Sequence, residues 1–275
     1  FSIGSKRELF FVCVSISLFF IISVIILRDS IFSPGLLMGA DNHVPITSVQ
    51  WFAQLYRHFF IWDSFHLTGI PFAPLSDSYL HYLIRFPIFL VTHSIETTLK
   101  LFVPFALAIP GIGMYYMSYT LMNKKKIIAF ACGILYMLNP WTFDRFVAGH
   151  TDMLIAYGLI PIVFTLVYQS VHNYEEKRRY DYKFLLAGTI GSIVAIQLQI
   201  FYILISILLL YALFLFLVQF KKKRKYRNIQ SLFKFTFKNR IVPVLLIMVI
   251  LLVINAYWII PLQFSPLLSV SSHYP

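Results

Sequence analysis

Apolar residues run through this chain in long blocks, not in the short alternating patterns of a soluble domain. Blocks lie at residues 9–27, 95–122, 127–143, 153–171, 184–220 and 241–260. A helix needs about 20 residues to cross a hydrocarbon core of about 30 Å. The block at 184–220 holds 37 residues, too many for one crossing, and reads as two crossings joined by a tight turn near 197–202. The pattern therefore predicts an all-α, polytopic transmembrane helix bundle of about seven spans.

Two of the blocks carry breaks. Pro104, Pro110, Gly111 and Gly113 fall inside the second and predict a kinked helix. The third is clearly apolar only as far as Leu138, before Asn139-Pro140. Reaching Phe143 gives enough length to cross if the helix is kinked or the bilayer thins.

Between the first two spans lies a loop at 28–94, far longer than a simple connection needs. Thr47 followed by Gln50 fits a capping box and opens a helix after Pro45. Phe52, Leu55, Tyr56, Phe59 and Phe60 then share one face, with Gln50, Gln54, Arg57 and His58 opposite. Such a helix lies flat on a membrane surface. A second apolar stretch at 79–91 contains His81, Arg85 and Pro87 and is too short to span, so it reads as interfacial or re-entrant.

Composition agrees: 59% of the 275 residues are hydrophobic and 12% charged, with a mean hydropathy of +0.76. A soluble domain carries roughly a quarter charged residues. The net charge of +12 raises the question of nucleic acid, which position answers. Of 23 Lys and Arg, 18 fall in four blocks between apolar runs, at 6–7, 124–126, 177–183 and 221–240. Cationic loops stay cytoplasmic during insertion, which puts the amino terminus inside and requires no nucleic-acid partner. The basic cytoplasmic loop at 221–240 can also touch anionic membrane lipids. Arg28, Arg57, Arg85, Lys100 and Arg145 fall on the other side, with seven of eleven acids and seven of eight histidines. Polar chemistry is thus expected outside.

Cys13 and Cys132 lie within spans, and no disulfide is expected between them. The chain starts at Phe1 and stops at Pro275 just past a span, so residues 1–275 read as one transmembrane domain from a longer protein, truncated at its carboxyl end.

Several residues on the outer side can carry chemistry. Asp41, in Gly39-Ala40-Asp41-Asn42-His43, follows an apolar stretch at the membrane surface. A carboxylate beside apolar surface has a raised pKa and makes a better general base; an ordinary turn or cap Asp is the alternative. Arg145 and His150, in the connection between spans three and four, can bind a phosphate, and Gly149 allows close backbone approach. The alternative there is an internal pair of Arg145 with Asp144 or Asp152. Arg85 needs an anion, either a lipid phosphate or Asp77. A divalent metal on Asp41 with His43, or with His81 and His150, has no support from spacing, and no cofactor is certain. Walker and dinucleotide motifs are absent from the sequence.

The layout of one span, a long outer loop with an early Asp and then two surface helices resembles the membrane glycosyltransferases of the GT-C superfamily. Its closest look is to the YfhO-like and arabinofuranosyltransferase-like branch. Asp41 with Gln50, Trp62-Asp63, Gly69, residues 79–87, Asn139-Pro140 and the run from Asn255 to Pro261 carry the likeness. The resemblance implies transfer of a sugar from a polyprenyl-phosphate donor to a hydroxyl of a glycan, lipid or protein acceptor at the extracytoplasmic face. It implies Asp41 as general base, with Arg85, Arg145 and His150 as the local candidates for the donor phosphate; His43, Asp77 and His81 are further candidates by their place in the outer loop. Where family members place two acids together, Asn42 and His43 follow Asp41 here. A lipid-linked sugar transporter or flippase, and a non-catalytic anchor of a larger protein, are the other functions to weigh.

Overall fold

The computed structural model describes residues 6–37, 47–59, 62–63, 70–71, 79–177, 181–222, 237–257 and 259–260. Among them the fold is all-α, apart from one two-residue ladder. Helices α1 (Lys6–Ile26) and α2 (Arg28–Phe32) lead to α3 (Ser48–Phe59). Strands β1 (Trp62–Asp63) and β2 (Ile70–Pro71) pair antiparallel, Trp62 opposite Pro71. Then come α4 (Tyr79–Thr92), α5 (Ile95–Leu121), α6 (Lys126–Met137), α7 (Pro140–Val147) and α8 (Thr151–Lys177). The chain continues through α9 (Tyr182–Ile193), a 3₁₀ turn at Val194–Ile196, α10 (Leu198–Lys222), a π turn at Phe237–Ile241 and α11 (Val242–Ile254).

This is a helical membrane protein. By length and hydropathy three stretches are able to cross a bilayer: Ile95–Leu121, Thr151–Glu175 and Leu198–Val218. The pair α6 and α7, bent by 43° at Leu138–Asn139, makes a fourth when read as one span. That is the kink expected at Asn139-Pro140. The other expected crossings, at Phe10–Ile26, Tyr182–Ile196 and Asn239–Ile254, are apolar but shorter. Tyr182–Ile196 reaches only about 22 Å at 1.5 Å per residue. The chain breaks at Gln197, the start of the turn expected at 197–202. Helix α5 runs unbroken through Pro104 and Pro110.

Helix α5 is the hub. It packs on α1 and α6 around Phe19, Leu107, Tyr115 and Met137. On its other side it meets α8, which packs in turn on α9 and α11. Contacts between α5 and α8 rise together along both helices: Phe102 clusters with Ile155, Gly113 faces Gly158, and Tyr116 donates to Gln169 at 3.2 Å. The two helices therefore run parallel, as the alternation of inside and outside loops requires. Several side-chain hydroxyls within the spans are closed on their own helix, while those of Tyr115 and Ser170 are buried without a partner. Ser23 donates to the Phe19 carbonyl at 2.9 Å and Thr165 to that of Pro161 at 2.7 Å, so lipid meets few open polar groups.

Ion pairs sort to the two ends of the bundle. At one end Lys124 meets Glu8 at 3.2 Å, Arg240 meets Glu175 and Asn173 donates to Asp181. This is the basic end. At the opposite end lie α3, α4, α7 and the start of α8, here called the loop end.

Candidate functional site

The loop end is assembled on α4. Helix α3 opens with the expected capping box: the Gln50 amide donates to Thr47 Oγ1 at 3.2 Å, and the Thr47 amide donates to Gln50 Oε1 at 3.3 Å. Its buried stripe differs from the expected one. Trp51 is fully buried, stacking on Phe89 with ring centres 5.3 Å apart and edge-on to Tyr82 at 5.7 Å. Leu55, one turn on, packs with it, while Phe52 and Tyr56 are exposed. Docking on α4 buries Trp51 and partly buries Leu55, keeps the half-exposed Phe52 ring edge-on to Phe86 and Phe89 at 6.2 and 5.7 Å, and turns Tyr56 outward.

The entry to the loop is tied to α5. The Gly35 amide, at a φ of +103°, donates to Glu96 Oε1 at 3.0 Å. Lys100 reaches both Glu96 and the Ser33 carbonyl. Leu36 then packs with the Trp51 cluster and Leu37 with the Phe19 cluster.

Arg85, on α4, is the most buried charge described, with 1% of its surface exposed. Its Nη2 donates to Thr151 Oγ1 at 2.9 Å and to both Asp152 carboxylate oxygens at 3.3 Å, and its guanidinium lies 4.4 Å from the Phe102 ring centre. Burial pulls Arg85 below its ordinary pKa, and Asp152 opposes this by favouring the charged form. Burial likewise raises the Tyr82 hydroxyl, while the positive charge of Arg85 draws it back. Asp152 sits in the first turn of α8, where the helix dipole favours an anion. The anion expected near Arg85 is thus Asp152, supplied from 67 residues away. Sequence reasoning had weighed Asp152 only against Arg145; pairing across two helices leaves no local spacing to read.

The α6–α7 bend builds the second group. Asn139 caps α7 by accepting from the Thr142 amide at 3.0 Å, and Pro140 fills the first helical position. The Asn139 side-chain amide also donates to the Tyr136 carbonyl at 2.7 Å and to the Tyr157 hydroxyl at 3.2 Å. Tyr157 stacks on Tyr136 with centres 4.1 Å apart, and Trp141 lies against it at 4.7 Å. This aromatic column, formed by residues scattered over α6, α7 and α8, was not anticipated from sequence.

Helix α7 ends in a Schellman turn. The Gly149 amide donates to the Phe146 carbonyl and the His150 amide to the Arg145 carbonyl, both at 2.9 Å, with Gly149 at a φ of +87°. Gly149 is therefore needed for the helix stop. The turn brings His150 back beside Arg145, whose Nη1 lies 3.5 Å from His150 Nδ1. Arg145 also binds the neighbouring Asp144, with Nε donating at 3.1 Å and Nη2 at 2.5 Å to one oxygen.

Of the residues singled out from sequence, the structure brings Arg145 and His150 together and places Arg85 in its own buried pair. Asp41, His43 and Asp77 lie outside the described residues. His81 belongs to α4, but its side chain also lies outside them. Among the described residues, no group of three or more His, Cys, Asp or Glu is placed to hold a metal ion. Cys13 and Cys132 are free thiols.

Residues 72–266 match the model of a family described as the 6-pyruvoyl-tetrahydropterin synthase related domain, a membrane protein. The match covers well over half of the chain. The chain belongs to that family. No curated protein matches it, and no solved structure does. In this member of the 6-pyruvoyl-tetrahydropterin synthase related family, the matched segment takes in α4 to α11, and with them the Arg85–Asp152 pair and the Arg145–His150 turn.

Proposed function

We propose that this protein is a glycosyltransferase of the cell membrane that takes a sugar from a polyprenyl-phosphate donor and works at the extracytoplasmic face. Asp41 is the general base. It accepts the proton of an acceptor hydroxyl as that oxygen attacks the anomeric carbon, and the bond to the lipid phosphate breaks with inversion. Arg145 and His150 take the donor phosphate. Arg85, satisfied by Asp152 inside the protein, holds α4 in place and does not meet the substrate.

One observation carries this reading: cation, imidazole and aromatic groups gather at the loop end, around the α6–α7 bend and the turn that follows it. A sugar on a lipid phosphate presents its anomeric carbon at headgroup depth, where such groups are useful. Leu37, packed in the Phe19 cluster, lies only four residues before Asp41, a reach of at most about 14 Å of chain. General base action contributes roughly 10² to 10⁴ in rate.

Exchange of Asp41 for Asn should abolish sugar transfer in membranes and leave protein level and thermal stability unchanged. Retained transfer would remove Asp41 from the mechanism.

A transporter of lipid-linked sugar has one observation in its favour, the bent pair α6–α7 beside the short Tyr182–Ile196 segment, since broken helices mark transport sites. Passage of labelled lipid across proteoliposomes without transfer would select it.

A further inference from the structure

We infer that Trp141, Arg145 and His150 form one binding face for a hexosyl phosphate, with Trp141 stacked on the sugar ring and Arg145 with His150 on the phosphate. This rests on the transferase reading only in the choice of a lipid-linked ligand.

The helix phase of α7 is the starting point. Trp141 and Arg145 are four residues apart, so their side chains are neighbours on one stripe. Thr142 is buried and Phe146 packs toward the Phe19 cluster, so that stripe borders the buried face. Phe143 and Val147, 67% and 56% exposed, lie about 160° round the helix from it and take its lipid contact. Trp141 is on the other side, against Tyr157 of α8, which distinguishes it from an ordinary interfacial tryptophan.

The face is also held in advance of any ligand. Trp141 rests on Tyr157, which is fixed by stacking on Tyr136 and by the Asn139 amide. The Schellman turn sets His150 against Arg145. An aromatic ring beside a guanidinium and an imidazole matches a pyranose with a phosphate on its anomeric oxygen: C–H groups meet the ring face, and the anion meets the donors. Asp144 occupies the Arg145 guanidinium and is itself 65% exposed, so it competes with an incoming phosphate and can swing away.

The experiment uses the full chain in lipid nanodiscs with two radiolabelled ligands, undecaprenyl-phosphate hexose and bare undecaprenyl phosphate. Wild type should bind the hexosyl lipid more tightly. Trp141→Ala should weaken the hexosyl lipid about five- to tenfold and leave the bare lipid unchanged, whereas Trp141→Phe keeps most of the preference. Arg145→Gln should weaken both ligands, and Asp144→Asn, at an exposed position that the fold does not need, should tighten both. Equal effects of Trp141→Ala on the two lipids, no tightening in Asp144→Asn, or no wild-type binding to either lipid overturns the inference. Competition by soluble hexose 1-phosphate as strong as by the hexosyl lipid overturns the lipid assignment. Trp141-dependent binding in a protein that transfers nothing would leave this face standing and remove the transferase. Transfer with the lipid preference intact in Trp141→Ala would do the reverse.

Discussion

Arg85 donates to both carboxylate oxygens of Asp152 across 67 residues of chain, with 1% and 4% of their surfaces exposed. The pair joins α4, the last helix of the long loop, to the first turn of α8. Removing one partner of a buried ion pair leaves the other charge without compensation. Asp152→Asn and Arg85→Gln should each destabilise the protein by about 3–5 kcal/mol. The double exchange Arg85→Met with Asp152→Leu should recover much of that loss. Thermal unfolding in detergent measures all three, and a double variant as unstable as the singles would contradict the account.

Glycine governs the approach of α5 to α8. A Cβ built at Gly113 would overlap the Gly158 carbonyl oxygen, and one at Gly158 would come within 2.5 Å of the Pro110 nitrogen. These neighbours are backbone and cannot turn aside. Gly113→Ala or Gly158→Ala should cost about 1–3 kcal/mol, against a few tenths for a lipid-facing alanine exchange such as Leu209→Ala. Yield of folded protein on size exclusion and the unfolding temperature both read the difference.

Helix α3 offers a test of orientation. Trp51→Ala should cost about 3–5 kcal/mol locally and expose α3 to protease, because the ring fills the space between Tyr82 and Phe89. Val49→Ala, on the exposed side of the same helix, should change stability by no more than about 0.5 kcal/mol. Equal sensitivity would mean that α3 does not dock on α4 as described.

Sidedness follows from the ends. With both native cysteines removed, single cysteines at Lys124 and Asn173 should be labelled from one side of a sealed membrane. One at Asp144 should be labelled only from the other. Labelling of 124 and 144 from the same side would contradict the parallel course of α5 and α8.

Much of the fold was legible in the sequence because membrane burial writes itself in runs of apolar residues and in the placement of Lys and Arg. The break at Asn139-Pro140, the turn at Gln197 and the Thr47–Gln50 capping box are local features and stood where their chemistry put them. The site was less legible. Asp152 finds Arg85, and Tyr157 finds Trp141, only after helices pack, and lipid-facing and protein-facing aromatics look alike in a chain with 28 phenylalanines and 17 tyrosines. Trp51 shows the difficulty most plainly: the neighbouring positions 52, 56 and 59 are as apolar as 51 and 55, and only the presence of α4 decides which are buried.

The touching backbones of Gly113 and Gly158 have a mechanical consequence. With no side chains between them, α5 and α8 approach backbone to backbone, and an added Cβ at either position would also meet Ile162 at 3.3 Å or Ile109 at 2.7 Å, so this approach requires glycine at both. The two helices act as one strut through the membrane. Any relative movement of helices then falls to the periphery, above all to the thinly covered α10, where 33% of the span is buried against 61% for α5 and α8.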